Sequence, residues 1–220
     1  TMSQAIQKID ELIFMKKPSL VATANAEMLM LATHDFELKK ILNSAAMVTP
    51  DGAGTVWAAR HLGYNMPERV AGVDLVTNLL NKNYKAYFFG AAPGVAKKAA
   101  EKFPNVVGTR NGFFSNDDVP KIISDINSAN ADILLVGLGV PKQEKWIFNN
   151  LDKLNVPVCI GVGGTFDVLA GNVKRAPQWM QRAKLEWLFR ALLQPSRAGR
   201  LIALPKFVFK VYKSSEREKI

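Results

Sequence analysis

The chain has 220 residues, 48% hydrophobic and 22% charged, which fits one domain or at most two and excludes wholesale disorder. A lone cysteine, Cys159, excludes an internal disulfide framework and a cysteine-cluster zinc site, and two histidines, His34 and His61, exclude a histidine-rich metal site. The net charge of +10 is lopsided: residues 174–220 carry +9 and residues 1–173 only +1, so a near-neutral body bears a basic end suited to an anionic partner.

The first ten residues are polar and amphipathic, unlike a signal peptide, and Ile6, Ile9, Ile13 and Phe14 give an apolar face to a helix over Ser3–Phe14. Short apolar runs predict strands at Leu20–Thr23, Ala46–Thr49, Ala86–Phe89, Val106–Thr109, Ile133–Gly137 and Val158–Val162. Helical patterns over Ala53–Leu62, Gly72–Asn81, Gly94–Phe103, Val119–Ser128 and Lys142–Leu151 lie between them. Strands alternating with helices predict an α/β, Rossmann-like fold: a parallel-sheet core with helices on both faces. Cys159, inside the apolar run Val156–Val162, reads as a buried thiol. No apolar run reaches the ~18 residues a membrane span needs, so a cytosolic location is expected.

The end of the chain is different. Lys184–Leu193 has a helical pattern with Leu185, Trp187, Leu188 and Leu192 as its apolar part, and Pro195 stops it. Arg200–Tyr212 is a basic amphipathic segment interrupted by Pro205, with Lys206, Lys210 and Lys213 on one face. The expected division is a core over 1–195 and a basic helical appendage over 196–220, whose Leu201, Ile202, Leu204, Phe207 and Val208 need cover from the body, a second copy or a membrane.

Parallel sheets bind ligands beyond the carboxyl ends of their strands. Five such ends here are polar or glycine-rich: Thr23-Ala24-Asn25-Ala26-Glu27, Pro50-Asp51-Gly52, Gly90-Ala91-Ala92-Pro93-Gly94, Gly137-Leu138-Gly139-Val140-Pro141-Lys142-Gln143-Glu144, and Gly161-Val162-Gly163-Gly164-Thr165-Phe166-Asp167. Asp51 fits two roles, N-cap of the following helix or general base. Thr23 and Asn25, in the neighbouring loop, suit hydrogen bonds to a sugar or to a carboxylate. Arg69 suits a diphosphate, unless Glu68 ties it into a structural pair. The Gly90 loop is neither G-x-G-x-x-G nor a Walker A loop, and serves either a phosphate or a tight turn. The one adjacent acidic pair, Asp117-Asp118, reads as a helix start, so neither a catalytic metal nor another cofactor is expected.

Together these loops, with Pro67-Glu68-Arg69-Val70-Ala71-Gly72-Val73-Asp74, Lys174-Arg175-Ala176-Pro177 and Leu185-Glu186-Trp187-Leu188-Phe189-Arg190, resemble the WecG/TagA/CpsF glycosyltransferases, in consistent order over residues 3 to 200. The resemblance implies a bacterial, metal-independent, inverting enzyme. It moves a sugar from a UDP-sugar donor to a lipid-linked acceptor, undecaprenyl-diphosphate-linked N-acetylglucosamine, at the inner face of the membrane. Its TagA branch transfers N-acetylmannosamine in making the wall teichoic acid linkage unit; other branches use N-acetylmannosaminuronic acid or a hexose. By position, Asp51 matches the family's base, with Thr23 and Asn25 beside it. Arg69 and Gln143 match active-site residues, and Arg190, Arg197 and Arg200 match basic residues that complete the site. Gly90, Gly164 and Asp167 fall in the substrate-binding loops.

The resemblance also implies an oligomer in solution and a peripheral attachment to an anionic membrane surface through the basic end. Family members carry one more strand ahead of the first helix. Either this sequence is a piece of a longer chain or the sheet edge is paired differently. The alternatives, single-stranded nucleic acid on Phe207, Phe209 and Tyr212 or a dinucleotide-dependent oxidoreductase, leave the strand-end loops unexplained or lack a fingerprint. No nucleic-acid partner is expected, and the donor sugar is not legible.

Overall fold

In the computed structural model, which describes residues 1–183, 185–193 and 203–217, each of the six apolar runs is a strand. In chain order the elements are α1 (Met2–Met15), β1 (Ser19–Ala24), α2 (Ala26–Ala32), α3 (Phe36–Ser44), β2 (Met47–Pro50), α4 (Ala53–His61), α5 (Gly72–Leu80), β3 (Ala86–Gly90), α6 (Val95–Ala100) and β4 (Val106–Arg110). There follow α7 (Val119–Ser128), β5 (Ile133–Gly137), α8 (Lys142–Asn150), β6 (Val158–Gly161), α9 (Thr165–Leu169), α10 (Gln178–Arg182), α11 (Glu186–Leu193) and α12 (Ala203–Arg217).

The strands form one parallel sheet in the order β2-β1-β6-β5-β3-β4. β3, β5 and β6 are buried along their whole length, as expected for strands covered on both faces. On one face Val21, Phe88, Leu135 and Ile160 meet α1, α5, α6 and α9; on the other, Leu20, Phe89, Leu134 and Cys159 meet α3, α7 and α8. Burial pushes the Cys159 thiol up to about 12, so it stays an inert core group. The chain leaves β1 toward β2 but leaves β6 toward α5 and α6 on the other face, so the exits of these two neighbours diverge at their carboxyl ends, the place where parallel sheets form a ligand crevice.

One expectation about the end of the chain changes. Pro205 does not interrupt a helix: it lies in the first turn of α12, where a backbone N–H has no intrahelical partner to lose. Of the covers named for the apolar residues of this segment, the body supplies that of Phe207. Phe207 and Val211, one turn apart, are buried against Ala26 of α2 and Ala58 of α4, with Leu204 beside them. Tyr212 packs edge-on against His61 of α4, 4.5 Å between ring centres, while Val208 and Phe209 face outward with Lys206, Lys210 and Lys213. Leu201, Ile202 and the division at residue 195 lie outside the described residues.

Candidate active site

The crevice is built from the ends of β1, β2 and β6. Thr23, on the last turn of β1, is 6% exposed, and its hydroxyl donates to the Gly161 carbonyl of β6 at 2.9 Å. Asp51 follows β2, where its N–H donates to the Ala24 carbonyl at 2.8 Å; the Thr55 hydroxyl reaches the same carbonyl at 3.2 Å, tying α4 to β1. The Val70 N–H binds the Pro50 carbonyl at 3.0 Å, which brings the start of α5 over the crevice. There, a methyl group on Gly72 would lie 3.3 Å from Thr23 Oγ1 and 3.4 Å from Asp51 Oδ2, so helix backbone, hydroxyl and carboxylate meet at one point. The N-cap position of α4 falls on Gly52, at φ +126°, so the cap role weighed for Asp51 is displaced by one residue. Asn25 is the N-cap of α2, with Oδ1 accepting from the Met28 N–H at 3.0 Å. Its Cβ lies 3.8 Å from where a side chain on Gly52 would begin, beside the Asp51 loop.

Gln143 lies beneath this group and is 1% exposed. Its Oε1 accepts from the N–H groups of Gly163, at 2.9 Å, and Gly139, at 3.2 Å, so one amide pins the loops after β5 and β6 together. Backbone N–H groups only donate, so this end of the amide is oxygen and the NH₂ end meets Glu144 Oε1 at 2.7 Å. A methyl on Gly161 would lie 2.7 Å from both Gln143 Nε2 and Glu144 Oε1; only glycine lets the pair lie flat on β6. Burial pushes the Glu144 carboxyl up to about 7, and its buried Oε2 has no hydrogen-bond partner among the described residues.

Above the crevice, Arg69 pairs not with Glu68, which accepts the Met2 N–H, but with Glu186 at the start of α11, Nη1 to Oε2 at 3.1 Å. Glu186, 7% exposed, also meets Arg175 Nε at 3.6 Å, and Arg175 grips Asp74 of α5 at 2.5 and 2.7 Å. The fork on Asp74, followed by the charge of Glu186, raises the Arg175 pKa further.

Thr23, Asn25 and Asp51 are thus brought together over Gln143. Gly164 starts α9 beside Gly163, and Asp167, half-buried one turn on, caps the helix end through its carbonyl. Gly90 ends β3, two strands from β6, where Ala91 N–H binds the Gly137 carbonyl at 2.9 Å; it is not part of the Thr23–Asp51 group. The side chain of Arg190, on α11, and all of Arg197 and Arg200 lie outside the described residues. Among the described residues, no three His, Cys, Asp or Glu side chains gather to hold a metal, and no helix is long and apolar enough to cross a membrane.

Sequence reasoning gave no role to Glu144, Glu186, Arg175 or Asp74, although each stands in one of the quoted motifs. A helical carboxylate ordinarily marks a solvated face; its burial is a tertiary fact, and the motifs were the only signal for it.

The family model described as "Glycosyl transferase WecG/TagA/CpsF family" matches residues 1–219. A protein of Bacillus subtilis (strain 168) is 36% identical over 211 residues, covering 91% of this chain and 82% of its own. One of Bacillus spizizenii is 35% identical, covering 90% and 80%, and one of Staphylococcus aureus (strain NCTC 8325) is 31% identical, covering 90% and 82%. All three are named N-acetylglucosaminyldiphosphoundecaprenol N-acetyl-beta-D-mannosaminyltransferase.

Proposed function

The chain belongs to the WecG/TagA/CpsF glycosyltransferase family, and we propose that it moves N-acetylmannosamine from UDP-N-acetylmannosamine to undecaprenyl-diphosphate-linked N-acetylglucosamine, inverting the anomeric carbon. The observation that carries this reading is the meeting of Asp51 Oδ2 and Thr23 Oγ1 at Gly72, in the crevice where the exits of β1 and β6 diverge. The relatives' shared name supports the acceptor and the transferred sugar, and the UDP carrier is what the family resemblance implies.

An acceptor hydroxyl is a weak nucleophile. Asp51 takes its proton as the oxygen attacks the anomeric carbon, while the bond to the UDP oxygen breaks on the opposite face. Thr23 and Asn25 orient the reacting groups, and the loop through Gly164 and Asp167 lines the donor side. The departing diphosphate gathers negative charge, which arginines answer without a metal. Arg69, Arg190, Arg197 and Arg200 supply this charge, with Glu186 keeping Arg69 at the crevice. The outward face of α12 sets Phe209 among three lysines, a surface suited to the edge of an anionic bilayer, where the acceptor's lipid lies. The enzyme is thus peripheral, on the cytoplasmic side.

The test is transfer from a panel of UDP-sugars to a short-chain lipid-linked N-acetylglucosamine, with and without EDTA. UDP-N-acetylmannosamine is expected to give product, undiminished by EDTA. Product from another donor alone overturns the donor assignment, and loss with EDTA overturns the metal-free mechanism.

A further inference from the structure

We infer that Glu144 is a positioning residue: through Gln143 it sets the two loops that flank the crevice, and with them the fit of the sugar-nucleotide donor. The inference rests on the proposed function only for the identity of that donor.

The geometry forms a continuous path. Glu144 Oε1 takes the Gln143 NH₂ group at 2.7 Å, and Gln143 Oε1 takes the N–H groups of Gly163 and Gly139. Both glycines have positive φ, +52° and +79°, so each is the pivot of its loop. The pair lies against Gly161, whose carbonyl takes the Thr23 hydroxyl, and Thr23 meets Asp51 at Gly72. Gln143 spends its oxygen and one amide hydrogen inside the protein and is 1% exposed, so it acts as a brace under the loops. It is held from both ends: its oxygen takes the two glycine N–H groups, and Glu144 takes its NH₂ group.

A buried carboxylate with one oxygen unpartnered among the described residues is a costly way to hold an amide. What the carboxylate adds is a charge-assisted bond when ionised, shorter and stronger than a neutral one. The ionisable groups on α8 and on the elements packed around it face elsewhere, and Lys39 and Lys142 are exposed. Asp35 and Glu37 hold Lys145, Lys40 lies over the Phe148 ring, Cys159 stays a thiol, and Asp152 and Lys153 lie in the turn after α8. β1 and β5 carry no ionisable side chain. Burial alone drives the Glu144 carboxyl up to about 7, opposed by its bond to Gln143 and one backbone hydrogen bond. The brace therefore tightens as pH rises through neutrality.

The test follows the Gly139 and Gly163 amide signals of the full chain by NMR from pH 5.5 to 8.5, in wild type and Glu144→Gln, alongside donor KM and kcat. In wild type both amides are expected to titrate with one midpoint near 7. Donor KM should fall about threefold or more across it, while kcat follows a separate profile. Glu144→Gln keeps the shape and an acceptor oxygen but not the charge, and should flatten both the amide titration and the KM profile. The same amide titration in Glu144→Gln, or no titration in wild type, overturns the inference. If the variant does not fold, the wild-type midpoint decides. If no UDP-sugar is turned over, the functional reading fails while the amide titration still tests the brace.

Discussion

The sheet-borne half of the site and the half carried by the C-terminal helices are built by opposite means. At the ends of β1, β2 and β6, backbone and short side chains are fixed by neighbours that leave no room. Thr23, Gln143 and Glu144 are all at least nine-tenths buried; an added methyl on Gly161 would collide with Gln143 and Glu144, and one on Gly72 would press on Thr23 and Asp51. The C-terminal half is held by reach instead: Arg69 and Arg175 meet around Glu186, and α12 clings by Phe207 and Val211. Close packing holds atoms to fractions of an ångström but tolerates no change. Long charged side chains and a small apolar contact hold less tightly and let go more easily. On the proposed function, positioned chemistry belongs to the sheet, and recognition of a large anionic partner to an arm that docks on it.

The sharpest way to break this division is at Asp51. Asp51→Asn keeps the size of the side chain and the backbone bond to Ala24 but removes the base. Turnover should fall about 10²–10⁴-fold, the usual contribution of a positioned base, with UDP affinity by calorimetry nearly unchanged. Wild-type turnover in this variant would move the chemistry elsewhere.

Phe207→Ala attacks the other half. Phe207 is 5% exposed, and its ring lies 3.8 Å from the side-chain position of Gly54, three residues beyond Asp51. Losing it should cost about 3 kcal/mol of docking, at the low end for a buried phenylalanine because the cluster is small. Limited trypsin digestion should then cut at the lysines of α12 while 1–183 stays protected and still binds UDP. Equal protection in both proteins would mean that α12 is fixed by something other than this cluster.

The same contrast decides what was legible in the sequence. β5 and α7 fall where the pattern puts them, to the residue, because a wholly buried strand is an unbroken apolar run and α7 has a clean stripe of Ile122, Ile123 and Ile126. α2 was not legible: its seven residues are nearly all apolar and serve two clusters, so no polar face marks it. α9 and α10, five residues each, are too short for a 3.6-residue period to show. In the site, Thr23, Asn25 and Asp51 were legible because they sit where a parallel sheet presents its strand ends. Glu144 and Glu186 were not, because a carboxylate near a helix start looks solvated until the neighbouring strands or loops close over it.

A smaller effect sharpens the buried half. The folded chain holds the Glu144 proton up to about pH 7, whereas the unfolded chain releases it in the ordinary glutamate range. Between those values the folded state binds more protons, so this group's stabilising share is complete in acid and is lost as pH rises through 7. Glu144→Gln stays neutral throughout. Relative to wild type it should gain on the order of 2 kcal/mol between pH 4 and pH 8 in urea unfolding. A difference that does not change with pH would place the Glu144 charge in contact with water.

The smallest expected effect belongs to the outer face of α12. Lys206, Lys210 and Lys213 are exposed and recur near every third or fourth residue, so they lie along one side of the helix beside Phe209. Each lysine near an anionic bilayer is worth about 1 kcal/mol, and the attraction fades beyond a Debye length. Lys210→Gln should therefore weaken binding to phosphatidylglycerol-containing vesicles about fivefold, and the triple substitution by the product of the separate losses. Raising salt should erase most of the difference, and neutral vesicles should show none. Neither change touches Phe207 or Val211, so UDP binding and resistance to trypsin should stay at wild-type levels. This separates the two faces of one helix: the inner face docks the arm, and the outer face meets the lipid. If the triple variant binds anionic vesicles as tightly as wild type, the charge asymmetry of the chain serves another anion, and the lipid surface is met elsewhere on the molecule.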